Sequence, residues 1–285
     1  MDMPPEPGQP PVMIDRPAQQ TRPVVFASPH SGRLYPADFV AASRLDPLRL
    51  RRSEDGFVDE LFAEAPAFGM PLVRATFPRA WCDANREAWE LDPAMFADTL
   101  PAWVNSASPR VAAGLGTIAR VVASGEPIYR ARLRFAEAQA RVASSWRPFH
   151  AALEAAIADT TARFGACLLI DCHSMPSASI VPRHGCDIVL GDAHATSCAP
   201  RAVRLVEQAL MAAGFRVRRN DPYAGGYITR HYGRPTSGVH ALQLEISRGL
   251  YMDEQLIERL PDFEHVQSRL SGLLDALAGA ESALA

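Results

Sequence analysis

Hydrophobic residues fall along this chain in short runs separated by longer amphipathic stretches. Residues 24–27 form one apolar run, which ends in Ser28-Pro29-His30-Ser31-Gly32. Residues 167–170 form a second, which ends in Asp171-Cys172-His173-Ser174-Met175-Pro176. Runs of this length bounded by polar and turn residues predict strands buried on both faces. Residues 71–77, 187–190 and 215–218 predict further strands, and residues 241–246 alternate as a strand carrying Glu245 near its carboxyl end. Between the strands the spacing turns helical. Val58, Leu61, Phe62 and Ala65 recur at three and four residues within 46–68, a run stopped by Gly69. Residues 127–164 predict one or two long amphipathic helices with Leu133, Ala136, Ala140, Trp146, Phe149, Leu153 and Ile157 inward, and Pro148 marks a kink or a second start. Pro200 opens a helix with Val203, Val206 and Leu210 inward, closed by Gly214, and residues 254–277 supply the last one. Strands alternating with helices predict an α/β fold, a three-layer α/β/α sandwich on a mostly parallel sheet. It would occupy residues 22–285 as a single domain, after a proline-rich flexible tail over residues 1–21.

Composition narrows the function. At 285 residues the chain can bury about three quarters of its unfolded surface. All 29 basic residues are Arg, which excludes a Walker-type phosphate loop and a Schiff-base lysine. A net charge of -3 points to neither nucleic acid nor an anionic membrane. The five cysteines form no Cys-x-x-Cys pair, as expected of a reducing compartment, and neither a signal-peptide core nor a membrane-length apolar run occurs. The protein is therefore expected to be soluble and cytoplasmic. Gly114-Leu115-Gly116-Thr117-Ile118-Ala119 fits a nucleotide fingerprint only on the surface, since no convincing strand precedes it; a pocket-lining loop is expected instead.

The two runs that end in histidine suggest a metal site, because ligands bind just beyond the carboxyl ends of strands in open α/β sheets. A catalytic zinc needs three protein ligands and one open position. His30 and His173 can supply nitrogens, a carboxylate of the Glu54-Asp55 pair an oxygen, and Glu245 can act as general base. Each has a structural alternative; acidic residues near a helix start, for example, stabilise it. Ser174 lies in no Gly-x-Ser-x-Gly elbow, so nothing marks a serine hydrolase.

Seven blocks in order give a more specific indication: Pro29-His30-Ser31-Gly32; Asp55 with Val58-Asp59-Glu60-Leu61; Arg79 with Asp83-Ala84-Asn85-Arg86; Arg147-Pro148-Phe149-His150; Asp171-Cys172-His173-Ser174; the run from Gly225 to Gly233; and His240-Ala241-Leu242-Gln243-Leu244-Glu245. From about residue 28 to residue 251 the chain resembles the N-formylglutamate amidohydrolase (N-formylglutamate deformylase) family. The resemblance implies a fold similar to zinc carboxypeptidases, with a mixed sheet and helices on both faces. It implies one zinc per chain held by His30, Asp55 and His173, with Glu54 as the fallback carboxylate and Glu245 as base. Asn85-Arg86 resembles the Asn-Arg pair with which zinc carboxypeptidases hold a substrate carboxylate, a task suited to a guanidinium fork. Arg79 and Arg230 are candidates for a second carboxylate or the oxyanion, and His231 and His240 either touch substrate or support the pocket. Gly56-Phe57 follows the aspartate where histidine-degradation members carry Trp-His. The activity implied is hydrolysis of the formyl amide of an N-formyl amino acid such as N-formyl-L-glutamate. The alternatives are a related zinc hydrolase of another N-acyl amino acid or small peptide, and a non-catalytic binding protein. The expected partner is a small N-acyl amino acid, with no nucleic acid and no membrane.

Overall fold

The computed structural model describes residues 9–179 and 185–284. Its strands are β1 (Val12–Asp15), β2 (Val24–Ser28), β3 (Leu72–Ala75), β4 (Cys167–Met175), β5 (Ile188–Gly191), β6 (Val217–Arg219), β7 (Val239–Ser247), β8 (Met252–Asp253) and β9 (Glu258–Arg259). The α-helices are α1 (Ala37–Ala42), α2 (Pro47–Arg51), α3 (Val58–Leu61), α4 (Pro109–Ala112), α5 (Phe135–Arg141), α6 (Arg147–Phe164), α7 (Pro200–Ala212), α8 (Tyr227–Tyr232), α9 (Phe263–Ala276) and α10 (Ala280–Leu284). The described residues divide into two compact units, residues 9–13, 29–54 and 75–151 in the first and residues 14–28, 55–74, 152–179 and 185–284 in the second.

The second unit is built on a seven-stranded sheet of order β1-β3-β2-β4-β7-β5-β6. The β2–β3, β2–β4, β4–β7 and β5–β6 pairs are parallel and β5–β7 is antiparallel, so the sheet is mixed and mostly parallel. Alternation along the strands sorts their side chains between two faces. Val24 and Phe26 of β2, Leu168, Ile170 and Cys172 of β4, and Leu242, Leu244 and Ile246 of β7 share one apolar cluster. Val203, Val206 and Leu210 of α7 and Val266, Leu270, Leu273 and Leu274 of α9 cover it, with Val58 and Leu61 of α3. The odd-numbered residues of β4 and β7 face the other way. There Asp171 is in register with Gln243, and His173 with Glu245.

In the first unit, short helices and loops gather around Phe39, Leu45, Leu50, Ala80, Ala119, Val122 and Ile128. Arg141 is buried against this cluster, its guanidinium 3.9 Å from the Trp81 ring centroid and donating to the Tyr129 hydroxyl at 2.6 Å. Gly32 lies so close to the next segment that a Cβ there would sit 2.1 Å from the Phe77 carbonyl oxygen.

Several expected boundaries move, each for a local reason. The helix expected over 46–68 is broken into α2, α3 and a 3-10 turn, Ala65–Phe68. Residues 51–56 offer no apolar side chain to seat a helix on a core, and Phe57 takes a left-handed φ of 63°. β4 runs on through Asp171 and His173, where its apolar run alone ends the strand early, and β7 exceeds the expected 241–246 by two residues at its start and one at its end. The final helix begins only at Phe263, beyond Pro261, and the β8–β9 hairpin occupies the start of its expected range. Pro148 does mark a second start: α6 follows a π-helical turn, Val142–Trp146, which accommodates a residue without an N–H. The tail expected over 1–21 contains β1, and Asp15 there accepts from Arg74 Nε at 2.7 Å; residues 1–8 lie outside the described residues. Among the described residues no helix is long and apolar enough to cross a membrane.

Candidate active site

In the second unit the chemistry collects on the face of β4 and β7 turned away from the α7–α9 core. His173 Nδ1 is 2.9 Å from Asp55 Oδ2, and its Nε2 is 2.9 Å from Asp171 Oδ1. The other Asp55 oxygen accepts from Arg248 Nη2 at 3.0 Å, and Arg248 Nε donates to Ser174 Oγ at 3.0 Å. All five side chains are buried. The break between α2 and α3 matters here, because it leaves Asp55 at a turn rather than in a helix. Burial opposes a charge on His173, yet Asp171 beside it, the Asp55 hydrogen bond and the Glu245 charge together hold its pKa well above the usual imidazole value. Gln243 Nε2 donates to Glu245 Oε1 at 2.9 Å.

Three expected substrate residues lie in this unit, and two of them make contacts of their own. His240 is an even-numbered residue of β7, so the pleat turns it to the opposite face from Gln243 and Glu245. There its Nδ1 accepts the Ala199 N–H at 3.1 Å, at the start of α7, and burial lowers its pKa. It supports the helix entry rather than the face that carries Glu245. Arg230 is exposed on α8, and His231 on the same helix stacks on Tyr227 with ring centroids 4.8 Å apart.

The first unit contributes a second histidine–carboxylate pair. His30 follows the last residue of β2 by two positions, and Ala27 of β2 is in register with Asp171, two residues before His173. Its Nε2 is 2.7 Å from Asp83 Oδ1, which also accepts the Asn85 N–H at 2.8 Å. Asp83 Oδ2 accepts from Arg79 Nη2 at 2.8 Å, and Arg86 Nη2 lies 3.8 Å away. Burial would raise the Asp83 pKa, but Arg79, Arg86 and His30 hold it well below the carboxylate range. Arg79, expected at a substrate carboxylate or the oxyanion, is therefore engaged by Asp83. Arg86 is buried, its Nε donating to Leu115 O at 2.8 Å and its Nη1 to Asn85 O at 2.7 Å, and burial lowers its pKa to about 10. Thr117, in the glycine loop set aside as a nucleotide fingerprint, accepts the Asp83 N–H at 2.7 Å and so backs this segment. Glu54 is tied to Arg51 at 3.1 Å, and burial raises its pKa. Of the two neighbouring carboxylates, Asp55 is the one bonded to a histidine.

Sequence reasoning passed over Asp171, Asp83, Gln243 and Arg248. The two-residue spacings 171/173 and 243/245 are the signal for the first and third. Asp83, three residues before Arg86, reads from sequence only as a surface partner for that arginine, whereas it is buried. Arg248 lies past the predicted end of its strand, where periodicity says nothing.

The sequence profile of the N-formylglutamate amidohydrolase family matches residues 22–252. The chain belongs to this family. N-formylglutamate deformylase of Pseudomonas aeruginosa is 32% identical over 239 residues, covering 82% of this chain and 83% of the relative. The enzyme of that name from Pseudomonas putida is 29% identical over 237 residues, 81% of this chain and 82% of the relative. Among solved structures, N-formylglutamate amidohydrolase from Ralstonia eutropha JMP134 superposes with a TM-score of 0.88 at 38% identity, covering 95% of this chain and 97% of that one. Gene product Atu2144 from Agrobacterium tumefaciens, with a TM-score of 0.58 at 20% identity over 96% of both chains, shares the fold. Family membership agrees with the order of the seven blocks, and the mixed, mostly parallel sheet is the α/β architecture those blocks implied.

Proposed function

We propose that the chain is a metal-dependent amidohydrolase that cleaves the formyl amide of an N-formyl amino acid, with N-formyl-L-glutamate as the preferred substrate. Water is added across the C–N bond, giving formate and the free amino acid. The observation that carries the reading is the register of His173 with Glu245 across adjacent strands, together with Asp55 at 2.9 Å from His173. Names of relatives over four fifths of the chain support the amide bond as the target.

The metal would be held by His30, Asp55 and His173, which are all buried and each offer one donor atom. Two imidazoles and a carboxylate suit zinc. The surroundings of His173 fit a cation as well, since Asp171, Asp55 and Glu245 are strong enough together to keep a proton on a buried imidazole. When bound, a divalent cation supplies Lewis acidity, polarising the amide carbonyl and making water acidic near neutral pH. Glu245 takes a proton from the attacking water and delivers it to the departing nitrogen. Arg248 holds Asp55 by one oxygen. Asn85, with Arg86, and Arg230 are the groups proposed for the substrate carboxylates; the Arg86 nitrogen not bonded to a backbone carbonyl is Nη2. His231 forms wall. All five cysteines are free and buried, which fits a cytoplasmic enzyme.

The test is protein purified without chelator, assayed for metal and for formate released from N-formyl-L-glutamate, N-acetyl-L-glutamate and a dipeptide. Stoichiometric metal and release from the formyl substrate alone are expected. Metal-loaded protein that releases no formate refutes the proposal, and faster cleavage of the acetyl or peptidyl compound transfers it to the broader N-acyl class.

A further inference from the structure

We propose that Gln243 is a positioning residue that fixes the Glu245 carboxylate and locks it to the glycine-rich loop leading into α8. The inference rests on the reading of Glu245 as the proton acceptor and goes beyond it by naming what aims that group. Gln243 and Glu245 are two residues apart on one strand, so they lie side by side on the same face. Gln243 is 4% exposed, and its amide is engaged at both ends: Oε1 accepts the Gly226 N–H at 2.7 Å, and Nε2 donates to Glu245 Oε1 at 2.9 Å.

This orientation is dictated by chemistry. A backbone N–H can only donate, so the amide oxygen has to face Gly226, which leaves the NH2 group to face Glu245. A carboxylate held by such a donor is fixed in one rotamer. The far end of the link is equally well defined. Ala193 N donates to Ala224 O at 2.7 Å, and a Cβ on Gly191 would lie 2.7 Å from the Ala224 carbonyl carbon, so the loop presses directly on the end of β5. Gly225, at φ 128°, takes a turn that an L side chain rarely adopts. Gln243 therefore connects a loop seated on the sheet to the group that moves the proton.

Two near-isosteric variants separate the parts of this link. Gln243→Met removes both hydrogen bonds. Gln243→Glu keeps an acceptor for Gly226 but sets a second carboxylate against Glu245. In hydrogen exchange on the full chain, the Gly226 amide should exchange faster in Gln243→Met and stay protected in Gln243→Glu. Both variants should lower kcat by about 10- to 100-fold, the range expected when a reacting group is misplaced by a fraction of an ångström to an ångström. KM should stay within about threefold and metal content should match the parent, while both variants melt somewhat lower, because one leaves the Gly226 N–H without its acceptor and the other sets two carboxylates together. In a Glu245→Gln background, Gln243→Met should have no further effect on kcat, because a residue that acts through Glu245 has nothing left to aim.

Wild-type kcat in Gln243→Met, when Glu245→Gln is inactive, overturns the inference and leaves the function standing. An additive loss in the double variant also overturns it, since that is the signature of a merely structural residue. Full turnover in Glu245→Gln removes the proton-acceptor assignment, and this inference with it.

Discussion

Asp171→Asn tests how the histidine is tuned. The Asp171 carboxylate is wholly buried in the central strand, with Oδ1 2.9 Å from His173 Nε2, while His173 Nδ1 faces Asp55. If Nδ1 is the ligand nitrogen, Nε2 carries the proton beside the Asp171 carboxylate, whose charge makes the imidazole a stronger base toward a cation. Losing such a partner typically weakens metal binding by about 10- to 100-fold. At about 1.4 kcal/mol per tenfold, that is about 1.4 to 2.8 kcal/mol. Asn keeps the shape and can turn its amide oxygen to Nε2, so the change isolates the charge. The sign in metal-free protein is different. The raised His173 pKa contributes stability that is fully present below the ordinary imidazole value of about 6.5 and is lost as pH rises through the folded-state value. Removing Asp171 should therefore cost metal-free stability more at pH 6 than at pH 9. The assay is titration of metal-free protein with zinc against a chromophoric chelator at pH 8, with thermal melts of metal-free protein at both pH values. A zinc affinity within twofold of the parent would refute the reasoning.

Three other outcomes are expected. Glu245→Gln should retain metal yet lose formate release by about 10²- to 10⁴-fold, the usual contribution of a general base; release at the parent rate in a loaded variant excludes the role. Gly32→Ala should destabilise by about 1–3 kcal/mol or more, because its Cβ would collide with the Phe77 carbonyl and only backbone movement relieves that; a urea midpoint equal to the parent's would contradict the close approach. Asp187 is opposed by burial, but Arg216 bonds it through its N–H, Nε and Nη2 and lowers its pKa. Its contribution should be complete above about pH 4 and fade as pH falls through the lowered folded value. Asp187→Asn should thus melt below the parent at pH 7 and converge with it in acid; a constant gap down to pH 2 would count against the pairing.

What could be read in advance follows from which signals are local. Apolar runs mark β2 and β5 because their side chains are buried on both faces, and the spacing of Val203, Val206 and Leu210 marks α7 because one stripe meets the core. The same rule shortens β4, whose carboxyl end alternates with polar residues because it carries chemistry, whereas the alternation of β7 was read through Glu245. The break before α3 was hidden because Val58, Leu61, Phe62 and Ala65 keep helical spacing on their own, with nothing in that spacing to show where the helix begins. Residue types identified the histidines, the Glu54-Asp55 pair and Glu245 as candidates, and the family resemblance chose Asp55. They gave no means of seeing that Arg79 would spend its charge on Asp83, or that the pleat would turn His240 away, since both depend on which neighbour a fold supplies.

The even and odd residues of β4 serve two unrelated ends, one set filling the α7–α9 core and the other bearing Asp171 and His173. A strand so divided has no tolerance for changes in length. Deleting or inserting one residue ahead of Leu168 would exchange the two sets, driving an acid and an imidazole into hydrocarbon while carrying leucine and isoleucine to the face that holds the polar groups. Evolution can therefore retouch this enzyme by substitution on either side of the strand, but any indel within it must extinguish fold and turnover in the same event.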